Sequence, residues 1–168
     1  MHLKKVKLRP EISGKLYLHS MPGRLEPLDS FLYKASRHEI DLVVCLAADE
    51  EISRLSPEYS LRIQEDSFPF ERIVFVINDY GIPLDINSFL EFVTYLAQSI
   101  NAGQSVLIHC AAGIGRTGLA AASIMMQLGY SIQEAISSIY DAGSNPEIGE
   151  QGAFLRVFDT FKAECHSD

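Results

Sequence analysis

The sequence predicts an α/β fold with a central, mostly parallel but mixed sheet flanked by helices. Two continuous apolar runs, at residues 41–47 and 105–110, are typical of strands that are buried on both faces of a sheet. In the second half of the chain such strands alternate with amphipathic helical patterns, which favours parallel pairing. The length of 168 residues suits a single domain, residues 1–168, with a sizeable core.

The first half of the chain holds short elements separated by turn residues. They are a strand at 15–18, a helix from Asp29 to about residue 38, a strand at 41–47, a short helix that begins at the acidic residues 49–51, and strands at 60–64 and 72–77. Asp29 is predicted to cap its helix, because a carboxylate accepts hydrogen bonds from the free amides at a helix start. The strand at 60–64 rests on alternation alone, whereas the one at 72–77 rests on β-branched residues.

The second half holds longer helices with clearer ends. Asp85 is predicted as the N-cap of a helix that ends at Gly103, and Ser131 with Glu134 forms the capping-box pattern of another. The remaining elements are a strand at 105–110, a helix from about residue 116 to 129, the capped helix from 131 to about 143, and a last helix at about 149–163. This order places residues 109–118 where a buried strand turns into a helix.

The composition indicates a folded protein and argues against general binding of nucleic acid. Hydrophobic residues make up 47% of the chain and charged residues 21%, which excludes a disordered chain. The net charge of −8 argues against general nucleic-acid binding, yet it is compatible with a locally positive site for an anionic substrate. The basic cluster of Lys4, Lys5, Lys7 and Arg9 predicts a solvated N-terminal strand or arm.

Cysteine usage and the lack of long apolar runs predict a cytoplasmic protein. Cys45, Cys110 and Cys165 are too few and too scattered for a disulfide framework or for paired zinc ligands, so a reducing compartment is expected. The sequence has no signal-peptide pattern and no run of the roughly 18 apolar residues that a membrane span requires. We therefore expect no membrane span, no metal and no cofactor.

The segment HCAAGIGRTG at 109–118 carries the strongest chemical signal. A thiol is a good nucleophile only when ionised, and Cys110 is placed at a helix N-terminus, where free amides, the helix dipole and Arg116 favour an anion. The same groups bind a phosphate above the sulfur, and the planar guanidinium of Arg116 grips two of its oxygens. The predicted phosphate-binding residues are Ala111, Ala112, Gly113, Ile114, Gly115 and Arg116. The hydroxyl of Thr117 is placed to hydrogen-bond the departing sulfur.

A two-step hydrolysis of a phosphate ester follows from this arrangement. Cys110 attacks phosphorus to form a phosphocysteine, which water then hydrolyses. Asp79 is the best candidate for the general acid that the leaving group needs. It lies in a loop after a buried strand, where Gly81 permits movement and Pro83 stiffens the exit. Asp85 is the rival acid, but its predicted role as an N-cap already accounts for it.

The pattern Cys-x5-Arg-Thr, the upstream aspartate in a loop with glycine and proline, and the overall length resemble the cysteine-dependent protein tyrosine phosphatase superfamily, most closely its compact dual-specificity type. Segments 16–23, 43–46 and 144–151 resemble the first strand and turn, the second strand, and the segment before the last helix of that group. The resemblance implies the protein tyrosine phosphatase-like fold, a bracing role for His109 and a water-positioning role for Gln151. The missing long recognition loops imply a shallow pocket.

Other interpretations stay open beside this one. The three glycines of 109–118 match the dinucleotide-binding pattern Gly-x-Gly-x-x-Gly, but Glu134, at the distance where that fold needs an acidic residue, lies in a predicted helix rather than at a strand end. A catalytically silent phosphate-binding module would use the same loop. Some relatives protect their nucleophile with a disulfide, for which Cys45 is the candidate partner here, although a small core residue is the simpler interpretation.

The substrate is predicted to be a phosphorylated protein or a small phosphomonoester. The expected activity covers phosphotyrosine and extends to phosphoserine and phosphothreonine, with a nucleotide, RNA end, sugar or lipid phosphate as alternatives. Ala111, Ala112 and Ile114 leave the inner loop uncharged, whereas relatives that act on highly phosphorylated inositol lipids tend to place lysine there. The loop therefore disfavours such lipids.

Overall fold

A five-stranded sheet runs through the middle of the computed structural model, which describes residues 2–165. The strands are β1 (Lys4–Lys5), β2 (Lys15–His19), β3 (Leu42–Cys45), β4 (Glu71–Val74) and β5 (Ser105–His109), in the spatial order β1-β2-β5-β3-β4. Neighbouring strands are parallel except β1 and β2, which are antiparallel. The predicted sheet, mostly parallel but mixed, is therefore confirmed.

Helices cover both faces of this sheet. They are α1 (Leu28–Arg37), α2 (Asp49–Leu55), α3 (Pro57–Gln64), α4 (Ile86–Asn101), α5 (Gly115–Gln127), α6 (Ile132–Asp141) and α7 (Gln151–Cys165). On one face, Phe31 of α1 and Tyr59 of α3 pack with Val43 of β3 into one core cluster. On the other face, Phe89 of α4 and Phe158 of α7 belong to a larger cluster with the buried side of α5 and α6. Thus α1–α3 form a first layer and α4–α7 a second layer.

Helix α5 lies at the centre of the second layer, because its small and apolar residues permit close packing on all sides. Residues 116–126 are all buried, and α5 contacts α4, α6 and α7. This burial fixes the start of α5 relative to the sheet. The loop between β5 and α5 is consequently held on a rigid frame.

The structure corrects the predicted strand at 60–64, because these residues belong to helix α3. The alternation rested on Leu61 and Ile63 alone, and Leu61 is 56% exposed, whereas the residue that α3 buries is Tyr59. Pro57 stands at the start of the helix, where its missing amide leaves no bond unmade. Two apolar residues were too few to distinguish a helix from a strand.

The boundaries of two other elements also differ from the prediction. The N-cap of α1 is Pro27, and Asp29 lies in the first turn without capping it. Strand β4 ends at Val74 rather than at residue 77. The amides of Phe75 and Ile77 still donate to backbone carbonyls at the end of β3, at 3.0 Å each, so the chain follows β3 beyond the end of the regular ladder.

The predicted caps of two other helices are confirmed. Asp85 accepts a hydrogen bond from the amide of Ser88 at 2.6 Å at the start of α4. At the start of α6, the Ser131 hydroxyl accepts from the Glu134 amide at 3.2 Å and the Glu134 carboxylate accepts from the Ser131 amide at 2.8 Å. Such caps satisfy amides that a helix start leaves free. Within residues 2–165, no helix is both long and apolar enough to cross a membrane.

The carboxyl ends of the four parallel strands meet at one edge of the sheet. The chain leaves this edge toward α1 after β2, toward α2 after β3, toward α4 after β4 and toward α5 after β5. Ligands of open α/β sheets bind at such an edge. Because β5 lies between β2 and β3, the segment that follows β5 is surrounded by the loops of its neighbours.

Candidate active site

The loop between β5 and α5, residues 110–114, forms a tight cradle around the sulfur of Cys110. The amide of Gly113 donates to Sγ of Cys110 at 3.3 Å, and Cys110 is only 2% exposed. Gly113 has a φ of 72°, and a Cβ at this position would lie 2.3 Å from the carbonyl oxygen of His19. Only glycine fits there, so the close approach to β2 dictates the curvature of the loop.

Bonds to neighbouring segments hold this cradle from outside. The amide of Met21 donates to the carbonyl of Ala111 at 3.1 Å, and the hydroxyl of Ser144 donates to the carbonyl of Gly113 at 2.5 Å. The first amides of α5 lack intrahelical acceptors, as at every helix start. A concave loop that ends in free amides and a helix dipole is suited to an oxyanion.

The guanidinium of Arg116 is buried in the same cleft and is held by a carboxylate that sequence reasoning did not identify. Glu51 of α2 accepts from Nη1 at 2.8 Å and from Nη2 at 2.7 Å, and the carbonyl of Ile77 accepts from Nη1 at 3.2 Å. The side chain of Arg116 is 3% exposed and that of Glu51 is 14% exposed. The hydrogen bonds from Arg116 lower the pKa of the Glu51 carboxyl, so the pair is charged and the guanidinium is fixed in orientation.

Asp79 reaches the same guanidinium from the opposite side of the cleft. Its Oδ1 lies 3.1 Å from Nη2 of Arg116 and accepts from the amide of Tyr80 at 3.2 Å. The side chain of Asp79 is 62% exposed, so this ion pair is accessible to water. The structure therefore brings together the three residues predicted to carry the chemistry, namely Cys110, Arg116 and Asp79.

His109 is fully buried beneath the cradle, at the end of β5. Its Nδ1 lies 3.2 Å from the carbonyl oxygen of Cys110, which can only accept, so Nδ1 carries the proton. The hydroxyl of Tyr59 then donates to Nε2 at 3.1 Å. Burial lowers the pKa of His109 to about 4, so the imidazole is neutral near pH 7 and acts as a bridge between α3 and the backbone of the nucleophile.

Gln151, at the start of α7, connects the second layer to the loop that carries Asp79. It is 1% exposed, and its Nε2 donates to the carbonyl of Gly81 at 3.0 Å. Its Oε1 is buried and accepts no hydrogen bond from any described residue. The side chain also faces the start of α5, where a Cβ on Gly115 would lie 3.1 Å from Oε1. A buried amide oxygen with a free lone pair therefore lines the cleft.

The other two candidates of the sequence analysis are placed differently. Thr117 is buried in the first turn of α5, and its hydroxyl makes no hydrogen bond within residues 2–165, with Cys110 or any other residue. Its role toward the sulfur stays a prediction. Asp85 caps α4 and does not line the cleft, so of the two predicted acids Asp79 is the one that contacts Arg116.

Cys45 and Cys110 are both free thiols in the structure. Cys45 lies in the core cluster of the first layer and contacts the carbonyl of Ala47 at 3.5 Å, whereas Cys110 belongs to the cluster of the second layer. Burial raises the pKa of the Cys45 thiol, which keeps it protonated. Its position is that of a small core residue.

Cys110, Arg116, Glu51, Asp79 and Gln151 line one cleft of about 320 Å³. Its floor consists of residues 110–112 and 114–116. The first wall comes from the segments that lead to the first layer of helices and consists of Arg24, Glu51, Arg54 and Leu55. The second wall comes from segments that lead to the second layer and consists of Asp79, Tyr80, Ile148 and Gln151. Cys110 therefore lies between parts of both layers.

Sequence reasoning missed most of the first wall. Glu51 was noted only as one of three acidic residues that start a short helix, and Arg24 and Arg54 were not identified. The acidic run directly after the buried strand β3 was the one available signal, because loops after parallel strands meet at the ligand-binding edge. The partner of His109, Tyr59, was hidden by the wrong strand prediction for its segment.

A family model described as "Polymorphic toxin system, DSP-PTPase phosphatase" matches residues 19–130 of the chain. The matched range contains Glu51, Asp79, Cys110 and Arg116 and ends before Gln151. It covers the elements from the end of β2 to the end of α5, and so the floor of the cleft and the whole first wall.

Curated relatives match a shorter part of the chain. The human tyrosine-protein phosphatase non-receptor type 4 is 34% identical over 82 residues, which cover 46% of this chain and 9% of the human protein. The putative tyrosine phosphatase 123R of Invertebrate iridescent virus 6 is 34% identical over 93 residues, which cover 46% of this chain and 66% of the viral protein. The chain thus spans less than two thirds of the length of either relative.

A solved structure extends the likeness to almost the whole chain. Kinase associated phosphatase, with a substitution of its catalytic-site cysteine to serine, has a TM-score of 0.82 with this structure. The match covers 97% of this chain and 96% of that one, at 24% sequence identity. The fold that the sequence predicted is therefore confirmed, including the helices on both faces of the sheet.

Proposed function

Because the chain belongs to the DSP-PTPase phosphatase family of polymorphic toxin systems, we propose that it hydrolyses phosphate monoesters of proteins through a phosphocysteine. Phosphotyrosine is the first expected substrate, and phosphoserine and phosphothreonine are the next. The observation that carries this proposal is the position of Cys110, whose sulfur accepts from the amide of Gly113 in the same cleft as the Arg116 guanidinium. We assign residues 1–168 to one catalytic domain.

The first chemical step transfers the phosphoryl group to the protein. The thiolate of Cys110 attacks phosphorus, a sulfur–phosphorus bond forms, and the bond from phosphorus to the ester oxygen breaks. The amides at 111–116 and the guanidinium of Arg116 stabilise the negative charge on the three other phosphate oxygens. Because Glu51 and Ile77 already fix Nη1 of Arg116, the guanidinium does not need to reorganise when the phosphate arrives.

Asp79, once it has left Arg116 and taken up a proton from water, donates that proton to the leaving oxygen. In the structure its carboxylate occupies the Nη2 edge of Arg116 at 3.1 Å, an edge that an arriving phosphate also needs. The phosphate competes with Asp79 for this edge and moves the exposed Asp79 side chain off Arg116. The side chain then has space at the mouth of the cleft, where the leaving group lies. The next residue, Tyr80, holds a strained left-handed φ of 56°, and a shift of this loop would release that strain.

The second chemical step returns the free thiolate. A water attacks phosphorus, its proton passes to the Asp79 carboxylate, the sulfur–phosphorus bond breaks, and inorganic phosphate leaves. The free Oε1 of Gln151 supports a water-positioning role, because a buried oxygen without a protein donor can accept a hydrogen bond from water. We also propose a supporting role for the Thr117 hydroxyl at the departing sulfur.

The expected setting is a reducing compartment, and we propose the cytoplasm. A phosphocysteine mechanism requires a reduced thiol, and the three cysteines of the chain are free in the structure. The net charge of −8 makes nucleic acid an improbable general partner. Small phosphate esters remain the alternative substrates to phosphoproteins.

The test is turnover of an aryl phosphate that carries a single phosphate and no other charge. We expect the protein to hydrolyse it and the Cys110→Ser variant to lose all measurable activity, since serine is a much weaker nucleophile. The matched control is Cys165→Ser, because Cys165 is exposed on α7 and lies outside the cleft.

Mass spectrometry of rapidly quenched protein adds a direct readout of the intermediate. We expect the mass of one phosphoryl group on the peptide that contains Cys110. Turnover retained by Cys110→Ser would refute the mechanism. Phosphate binding without any turnover by the unmodified protein would instead identify a catalytically silent phosphate-binding module.

A further inference from the structure

We propose that Arg24 and Arg54 form a second anion-binding site on the first wall of the cleft, which selects phosphopeptides with an acidic side chain next to the phosphorylated residue. This inference rests on the proposed phosphatase function and adds a substrate class to it. Both arginines line the same cleft as Cys110. They come from separate segments, Arg24 from the turn after β2 and Arg54 from the last turn of α2.

The guanidinium groups of Arg24 and Arg54 have no hydrogen-bonded or closely ion-paired partner among the described residues, 2–165. The carboxylate of Glu51 feels the charge of both but gives its two oxygens to Arg116. Two cations are therefore left for a ligand at the rim.

The charge of the cleft differs from the charge of the chain. The chain has a net charge of −8, whereas the cleft is lined by three arginines and only two carboxylates, those of Glu51 and Asp79. Arg116 is paired with both carboxylates, so the surplus positive charge lies on the first wall. A locally positive rim attracts anionic ligands to the cleft, whereas the rest of the acidic protein surface repels them.

The inner loop explains why a second site is needed for such a preference. Ala111, Ala112 and Ile114 carry no charge, so the floor contributes only amides and Arg116 to one phosphate. Any further negative charge on the substrate must be met at the rim. The arginines of the first wall line the cleft beside its floor, so they are placed to meet such a charge.

The shape of the cleft favours a peptide over a small bisphosphate. A volume of about 320 Å³ is at the lower end of ligand sites and accommodates one phosphorylated side chain. The rim is apolar where it is not charged, since Tyr80 is 76% exposed and Ile114 is 39% exposed. Leu55 and Ile148 also line it. Such a rim suits the carbon-rich flanks of a peptide whose phosphorylated side chain enters the cleft, with the neighbouring acid against the arginines.

The experiment compares two phosphotyrosine peptides that differ only beside the phosphorylated residue. One carries glutamate at the two flanking positions, and the other carries glutamine there. We expect kcat/KM of the unmodified protein to be about tenfold higher for the acidic peptide, and this ratio to fall close to one in the double variant Arg24→Gln/Arg54→Gln. The ratio should also fall when salt is raised, since the contact is at the surface.

A control variant separates the site from the overall charge. Arg37→Gln/Lys7→Gln removes the same two charges from exposed positions outside the cleft, so the ratio should stay near tenfold. The variant Arg24→Lys/Arg54→Lys keeps the charge and should retain most of the preference. Binding of both peptides to Cys110→Ser protein reports the same difference without turnover, in case a variant alters the chemical step.

Three results would overturn the proposal. The first is a ratio near one in the unmodified protein. The second is an equal loss on both peptides in the arginine double variant, which would assign the two cations to the phosphate itself. The third is a preference shown only by a nucleoside bisphosphate, which would identify a small-molecule site. Activity on the aryl phosphate tests the catalytic mechanism alone, so loss of that activity and loss of the peptide preference are distinguishable.

Discussion

The two walls of the cleft hold the same arginine with carboxylates of opposite character. On the first wall, Glu51 makes two short bonds to Arg116, at 2.7 and 2.8 Å, and is 14% exposed. On the second wall, Asp79 makes one contact at 3.1 Å and is 62% exposed. Burial and bidentate geometry make the first carboxylate a fixed support, whereas the second is free to leave.

This difference shows how the guanidinium of Arg116 can be fixed in orientation and still have one edge available for a phosphate. The first wall keeps Arg116 oriented at all times, so the cost of ordering it is met during folding rather than during catalysis. The second wall occupies the remaining edge only until a phosphate replaces it. Chemistry is accordingly expected on the second wall, and orientation and selectivity on the first.

Removing the acid from the second wall has the largest expected effect. In Asp79→Asn the leaving oxygen receives no proton, so kcat should fall about a hundredfold for an alkyl phosphate with a poor leaving group. The loss should be much smaller for an aryl phosphate whose phenolate leaves unaided. Rates measured over a series of leaving groups check this. Asp85→Asn is the matched control, because Asp85 only caps α4.

An equal loss for every leaving group would contradict the assignment of Asp79 as the acid. It would mean that Asp79 acts through Arg116, like Glu51, and the comparison between the walls would no longer hold. A general acid, by contrast, matters in proportion to how badly the leaving group needs its proton.

Weakening the first wall has a smaller effect on rate and a clear effect on stability. In Glu51→Gln the buried guanidinium keeps one oxygen partner but loses the charge, so kcat/KM should fall about tenfold for all leaving groups. The free energy of unfolding should drop by about 2 kcal/mol, below the usual cost of breaking a fully buried pair, since Glu51 keeps some exposure. Urea denaturation measures this. The exposed neighbour provides the control Glu50→Gln.

A Glu51→Gln protein with unchanged stability and unchanged kcat/KM would show that Arg116 is oriented without the first wall. A loss that depended on the leaving group would exchange the roles of the two carboxylates. The first result would contradict the supporting role of Glu51, and the second would contradict the assignment of the acid role to Asp79.

The smallest effect at neutral pH concerns the bridge from α3 to the nucleophile. Burial lowers the pKa of His109 to about 4 from its ordinary value of 6.5, so between these values the unfolded chain binds more protons than the folded protein. Stability is therefore unaffected above pH 6.5 and is lost as the pH falls toward 4. At pH 5 the loss from this one group is about 2 kcal/mol.

Urea denaturation at pH 7 and at pH 5 checks the prediction. We expect His109→Asn to show a difference between the two pH values that is smaller than that of the unmodified protein by about 2 kcal/mol. Tyr59→Phe keeps the imidazole and should keep the difference. Burial also lowers the pKa of His19, and this group contributes the same pH dependence of stability to all three proteins. If His109→Asn showed the same difference in stability between pH 7 and pH 5 as the unmodified protein, His109 would not be the group that titrates.

The sequence was a good guide wherever the controlling interactions were local. The capping residues Asp85, Ser131 and Glu134 were identified because a cap and its amide lie within three residues of each other. The helix over residues 60–64 was missed because two apolar residues are compatible with either period. Asp29 was predicted as a cap because it has the right chemistry, but Pro27 lies at the position of the cap.

The floor of the cleft was readable from the sequence for the same reason. Cys110, the glycine at 113 and Arg116 lie within seven consecutive residues, and the turn from a buried strand into a helix is enough to bring them together. The prediction for Asp79 rested on its loop and on the apolar strand before it. That strand was predicted to be buried, but β4 lies at the edge of the sheet and none of its four residues is fully buried. Both inferences use only the short-range geometry of strand, turn and helix.

The walls were decided by the tertiary structure. Glu51 lies 65 residues from Arg116 in the chain, and they meet because β3 and β5 pair in parallel and release their loops at the same edge. Nothing local distinguishes Glu51 from Glu50, or Arg24 and Arg54 from other surface arginines. The sequence by itself determined the layered fold and the loop around Cys110, the proposed nucleophile, because these depend mostly on neighbours along the chain. Which charges face that nucleophile depends on strand order, and strand order is a property of the whole folded chain.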